Sequence, residues 1–391
     1  MREGFADRAM FFCFCGALFF VPVATSPAVI MSIFALVFWV FSGKVILERH
    51  KWLGQKWLVP VALFVCLNFI GLLYTNNIVT GLYFVEKTHY WLLACAAATL
   101  YMNAGRADKL MKYYVAGVTF TSTLFVLQNL GIAPMRPPYS VGLHNKWAHI
   151  SFSLLDTFGI LVLSYYFYIA ESRKGKYITG GLILINFIAL AILSSDSGHL
   201  AFILLSPILA YNIVGRKNLK VVALVSFLFV AALFLSPVTQ SRFQQIFDQT
   251  DTYIEGEVYT QVGMRYYMWS GAAKLYMENP VIGLGTGGYQ DAMEKFRPSA
   301  KVPNPIQPHN SFLYMAVSFG IPGIIVILWL FYAILKKGWD KRFTLLGFCT
   351  IAYALVLIIG SLTDTQILQV HTGTLFAIFM GLPLGFEQEA R

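Results

Sequence analysis

Two basic side chains have the chemistry and the setting for moving an anionic group: Arg265, within 263–280 (GMRYYMWSGAAKLYMENP), and His309, within 308–313 (PHNSFL). A guanidinium is a planar fork that matches phosphate oxygens two at a time and keeps its charge at any working pH. The competing use for Arg265 is stacking on Trp269, one helical turn away. His309 follows a proline and precedes a long apolar run, so it sits at a helix N-terminus, whose partial positive charge disfavours an imidazolium. A neutral imidazole near pH 7 is the state a general base needs. The plain alternative is an interfacial histidine bonded only to backbone. Asn310 or Ser311 can cap the helix that follows.

Other candidates are scattered. Lys87 could meet phosphate, or it could pair with Glu86 or snorkel. Arg136, His144 and His149 share 134–150 (PMRPPYSVGLHNKWAHI), where two histidines five apart suit no single metal on a regular helix. Asp156 lies inside an apolar run, where a carboxylate is a functional candidate by default. Asp364 reads as a solvated turn residue. Glu255 and Glu257 form a Glu-x-Glu in a polar stretch that solvation explains. The five cysteines all lie in apolar runs, and there is no Gly-Lys-Ser/Thr phosphate loop. Neither a metal, nor another cofactor, nor ATP is expected.

The elements that position these residues are membrane helices. Of the 391 residues 57% are hydrophobic and 12% charged, with mean hydropathy +0.64, against about 25% charged in a soluble domain. About twelve apolar runs approach bilayer-crossing length, near 9–24, 28–47, 57–74, 88–102, 113–132, 149–170, 177–193, 198–214, 220–236, 309–335, 343–362 and 366–385. The first is read as an uncleaved helix rather than a signal peptide. The expectation is an all-α polytopic protein: helices over 1–236, one long outer loop over 237–308, and three more helices over 309–391. Most of the 29 Lys and Arg residues fall on one side when both termini are cytoplasmic, which puts 237–308 outside. The net charge of +10 is then a topology signal, and nucleic acid is not a partner. Within the loop, Met264, Met268, Ala272 and Leu275 form one stripe of an amphipathic helix. Asn279-Pro280 ends it, Gly283, Gly285, Gly287 and Gly288 make a tight turn, 289–296 forms another short helix, and prolines to Pro308 return the chain to the membrane.

Taken together, 263–320 resembles the O-antigen ligase and polymerase superfamily of membrane glycan transferases. Arg265 on the loop helix, Asn279-Pro280-Val281-Ile282-Gly283-Leu284-Gly285, Pro308-His309-Asn310-Ser311-Phe312-Leu313 and Phe319-Gly320-Ile321-Pro322-Gly323 carry the likeness. The segment 142–148 (GLHNKWA) is similar to the family's connection before its sixth span. The resemblance implies a GT-C-like helical fold and an active site on the periplasmic face of the bacterial inner membrane. It implies a glycan donor on undecaprenyl pyrophosphate, with His309 as base and Arg265 on the departing pyrophosphate, metal-independent and inverting. The acceptor is lipid A–core for a ligase, a second lipid-linked glycan for a polymerase, or a protein hydroxyl for an O-oligosaccharyltransferase; the ligase is the first expectation. A transporter of lipid-linked solutes is the reading from another class, and it calls for mid-membrane ionisable pairs. One departure stands out. Where the family carries Ser-Arg-Gly/Ser, this chain has Ser195-Asp196-Ser197, and a carboxylate there is expected to repel phosphate unless Lys87, Arg136 or His199 compensates.

Overall fold

The computed structural model describes residues 4–135, 140–145, 149–215 and 218–384. In chain order the helices are α1 (Phe5–Phe20), α2 (Thr25–Phe41), α3 (Lys44–Leu47), α4 (His50–Leu53), α5 (Leu58–Ile70), α6 (Ile78–Glu86), α7 (Leu92–Ala98), α8 (Ala104–Asn129), α9 (His149–Ile169), α10 (Arg173–Ile192), α11 (Asp196–Val214), α12 (Leu219–Phe234), α13 (Pro237–Ile254), α14 (Gln261–Glu278), α15 (Tyr289–Met293), α16 (Ser311–Asp340), α17 (Leu345–Thr363) and α18 (Val370–Gly381). Among the described residues the strand content is one antiparallel pair, Ser140–Val141 with His144–Asn145.

Each of the twelve apolar runs overlaps a helix. Six helices, α8, α9, α10, α11, α16 and α17, are long and apolar enough to cross a membrane. The α12–α13 pair, bent by 81°, makes a seventh if counted as one broken span, while α2, Leu58–Leu73 and α18 are apolar but shorter. Run length in sequence exceeds helix length where the chain breaks: 88–102 divides into a 3₁₀ turn over His89–Trp91 and the seven-residue α7.

The centre of the bundle is α9. Every residue from Ser151 to Ser164 is buried, the mark of a helix enclosed on all sides, and it packs on α8, α10, α11 and α17. The segment 237–308 is more helical than its polarity suggests. Its first part is α13, with Pro237 in the helix's first turn, where the missing N–H costs nothing. The stripe on α14 is turned as expected, with Met268, Ala272 and Leu275 buried.

What fixes α14 is a main-chain joint. In α16, Gly320 leaves helical geometry (φ 63°, ψ −147°) and Pro322 has no N–H to give, so the carbonyls of Val317 and Ser318 lose their partners within the helix. Leu284 N–H donates to Val317 O at 2.9 Å and Gly285 N–H to Ser318 O at 2.9 Å, while Ile321 N–H donates to Pro280 O at 2.8 Å. On the other side Thr286 N–H reaches Gly71 O at 3.2 Å and its hydroxyl reaches Asn68 O at 2.7 Å. Glycine is required here: Gly285 has φ +77°, and a Cβ on it would stand 2.4 Å from Gly71 O. The turn after α14 is thus clipped between the break in α16 and the end of α5.

Candidate active site

Pro308 delivers His309 to the start of α16 with φ +48°, the single non-glycine residue with positive φ among those described. Such a backbone is strained for a residue with a Cβ and persists where surrounding contacts hold it. Asn310 does the holding. Its side-chain oxygen accepts from Phe312 N–H and Leu313 N–H, and its NH₂ donates to Leu362 O at 2.8 Å, tying the start of α16 to the end of α17. The ring of His309 then meets Asp364, the residue that closes α17, with Nδ1 2.7 Å from Oδ1. The carboxylate also accepts from Thr365 N–H at 2.8 Å and from Gln366 Nε2 at 2.9 Å. This corrects the solvated-turn reading of Asp364: its side chain is 5% exposed, that of His309 42%. A carboxylate 2.7 Å from Nδ1 makes that nitrogen the donor and sets the orientation of the ring, with Nε2 on its opposite edge.

A second cluster lies alongside. Asp196 opens α11, and its Oδ2 accepts from Arg265 on α14 at 2.8 Å, while its Oδ1 accepts from Arg242 Nε on α13 at 3.2 Å. Arg242 NH1 also donates to Gln261 Oε1 at 2.6 Å. The side chains are 14% (Arg242), 22% (Arg265) and 15% (Asp196) exposed. Two guanidiniums against one carboxylate leave the cluster with a net positive charge. Among the described residues the second cation paired with Asp196 is Arg242.

These three residues line a cavity of ≈ 260 Å³ whose walls include His199, Trp269 and Thr363. Thr363 joins the two clusters. It precedes Asp364 in the chain, and its hydroxyl lies 2.6 Å from that of Ser197, which follows Asp196. Arg265 and His309, remote in sequence, therefore belong to one neighbourhood through Asp196–Ser197 and Thr363–Asp364.

Of the other described candidates, His199 lines the cavity, while Lys87, His144 and Asp156 are engaged elsewhere. Lys87 places its ammonium 4.1 Å from the centre of the Tyr83 ring. His144 is buried, bonded through Nε2 to Pro22 O at 2.9 Å, and packed edge-on against His371. Burial holds its pKa below the ordinary histidine range, with the Pro22 bond pulling the other way. His199 is buried with Nε2 2.9 Å from Leu190 O. Asp156 sits within α9, where Ser122 donates to its Oδ1 at 3.0 Å. Arg136 lies outside the described residues. Among the described residues no three His, Cys, Asp or Glu side chains converge as a metal-ligand set.

Comparison with known families turns on these elements. Residues 181–328 match the model of the O-antigen ligase family. Over that stretch the chain is similar to O-antigen ligases. The matched stretch contains Asp196, Arg242, Arg265, the glycine turn, His309 and the Gly320 break; Asp364 lies beyond it. The family implies a membrane glycan ligase or polymerase activity acting on lipid-linked glycans. No curated protein matches the chain.

Proposed function

We propose that the chain is a glycan ligase of the outer face of the bacterial inner membrane, transferring a glycan from undecaprenyl pyrophosphate to a hydroxyl of lipid A–core. His309 Nε2 takes the proton of the acceptor hydroxyl as its oxygen forms a bond to the anomeric carbon. The bond from that carbon to the pyrophosphate oxygen breaks on the opposite face, so configuration inverts. Asp364 orients the imidazole and stabilises the imidazolium that forms. Arg265 and Arg242 take up charge on the departing pyrophosphate, a preorganised electrostatic contribution of the kind that is usually largest in such reactions.

The observation that carries this reading is the coupling of an Asp-oriented histidine to a two-arginine cavity through Thr363. A base and an anion cradle on one patch, at the start of a long apolar helix, suit a lipid-anchored phosphate ester better than a solute pathway. The test is reconstitution with the undecaprenyl-pyrophosphate-linked glycan and lipid A–core, with and without EDTA, for the native protein, His309→Ala and Arg265→Ala. Transfer to core by the native protein alone, unaffected by chelation, is the expected result. Elongated lipid-linked glycan without transfer to core would make it a polymerase, and full transfer by His309→Ala would overturn the mechanism.

A further inference from the structure

The Asp196 carboxylate occupies the edge of both guanidiniums that the proposed donor's phosphates need, and the inference here rests on that reading of the site. A carboxylate and a phosphate present an arginine with the same pair of oxygens, so the two compete for Arg242 and Arg265. We propose that Asp196 is an internal competitor that admits a diphosphate to the arginine pair and turns away the singly charged phosphodiester headgroups of ordinary membrane lipids.

The case is one of charge and surroundings. Asp196 is tethered at the start of α11 within bonding distance of both arginines, so it acts at a high effective concentration. A phosphodiester that displaced it would exchange one negative charge for another. It would also leave a carboxylate, 15% exposed, unpaired beside a like charge, an arrangement that costs rather than contributes. A diphosphate brings at least two charges and can give each guanidinium its own phosphate. Such a filter is needed because, beside His199, Tyr266 and Thr363, most of the remaining wall of the cavity is apolar. Leu200, Ile203, Phe243, Ile246 and Trp269 line it, and an abundant phospholipid could lodge its chains there with its headgroup on the arginines. Selectivity obtained by placing an unfavourable charge against the wrong ligand is a general device, and here it explains a carboxylate at the heart of an anion site.

The test uses the full chain in detergent. Binding of inorganic pyrophosphate is measured by calorimetry with and without phosphatidylglycerol in the micelles, for the native protein, Asp196→Asn, Asp196→Ser and Asp196→Glu. The expected result is pyrophosphate binding about tenfold tighter in the Asn and Ser variants than in native, with phosphatidylglycerol competing in those two only. In the transfer assay phosphatidylglycerol should raise the donor KM of Asp196→Asn while leaving kcat in place. Asp196→Glu, which keeps the charge, should follow the native protein, and Asp196→Ser carries the comparison if the Asn variant does not fold. Equal or weaker pyrophosphate binding in both neutral variants, or equal lipid competition in all four proteins, overturns the role of Asp196. Arg242→Gln and Arg265→Gln are run beside them. Unchanged pyrophosphate binding in both would instead overturn the reading of the arginines as the donor site.

Discussion

Replacing Asp364 by Asn isolates the charge behind His309 from the geometry that holds it. An amide in this position keeps one carbonyl oxygen, which still serves His309 Nδ1 and Thr365 N–H. Its NH₂ then faces Gln366 Nε2, the donor to Oδ2 at 2.9 Å. Gln366 can rotate its amide to answer, at the expense of the bonds its Oε1 accepts from Ser151 at 3.3 Å and Thr372 at 3.0 Å. The ring therefore stays in place, and what is lost is a charge-assisted bond to the imidazolium of the transition state. Hydrogen bonds to charged groups are worth about 1.5–3 kcal/mol, which is about 10- to 150-fold in rate. The 42% exposure of the His309 side chain favours the lower part of that range through solvent screening. The prediction is a kcat lower by that factor with the donor KM unchanged, measured in the reconstituted transfer assay. His309→Ala should cost about 10²–10⁴, and the double variant should be no worse than His309→Ala alone, since residues acting as one unit are not additive. Native kcat in Asp364→Asn, or a double variant slower by the product of the two factors, would refute the dyad.

Three further outcomes follow from the same structure. Arg242→Gln should lower kcat/KM for transfer by about 10–10², and Arg242→Lys should recover only part of it, because an ammonium cannot replace a two-pronged guanidinium; equal activity of Lys and Arg at this position would contradict the geometry. Gly285→Ala should abolish or sharply lower the yield of folded protein, because its Cβ would stand 2.4 Å from Gly71 O at φ +77°. Gly131→Ala, at φ +73° with nothing within 4 Å, should cost only about 1–2 kcal/mol, and thermal unfolding separates the two. The depressed pKa of His144 means that the unfolded chain binds its proton more readily than the folded one. Its contribution to stability is complete above about pH 6.5 and is lost as pH falls below that. Melting temperatures at pH 7.5 and 5.5 should therefore diverge less in His144→Gln than in native.

Local signals carried the helices, the stripe on α14, the glycine turn and the cap at Asn310, because each depends on residues within a turn or two of one another. The misread features depend on long-range partners. Asp364 looked like a turn residue because its partner lies 55 positions earlier. Asp196 looked like a lone carboxylate because the arginines it pairs with lie 46 and 69 positions later. Arg242 carries no motif and went unnoticed, along with the whole of α13, whose polar composition hides it in a loop. The signal that could have found it was Ser236-Pro237, a serine before a proline at a helix start, with Phe243, Ile246 and Phe247 at helical spacing beyond.

The joint between the glycine turn and the break in α16 is made by main-chain atoms. Val281 and Ile282 are exposed and their side chains are not what the three bonds recognise, so those positions can drift as long as the glycines and Pro322 stay. The segment 237–308 and the helix it clips form one exchangeable part, whose interior seam is the poorest place to cut. A chimera built from two such proteins should cross over before Asn279 or after Gly323; a junction between them would set one parent's turn against the other parent's break, and with it the spacing of arginine and histidine.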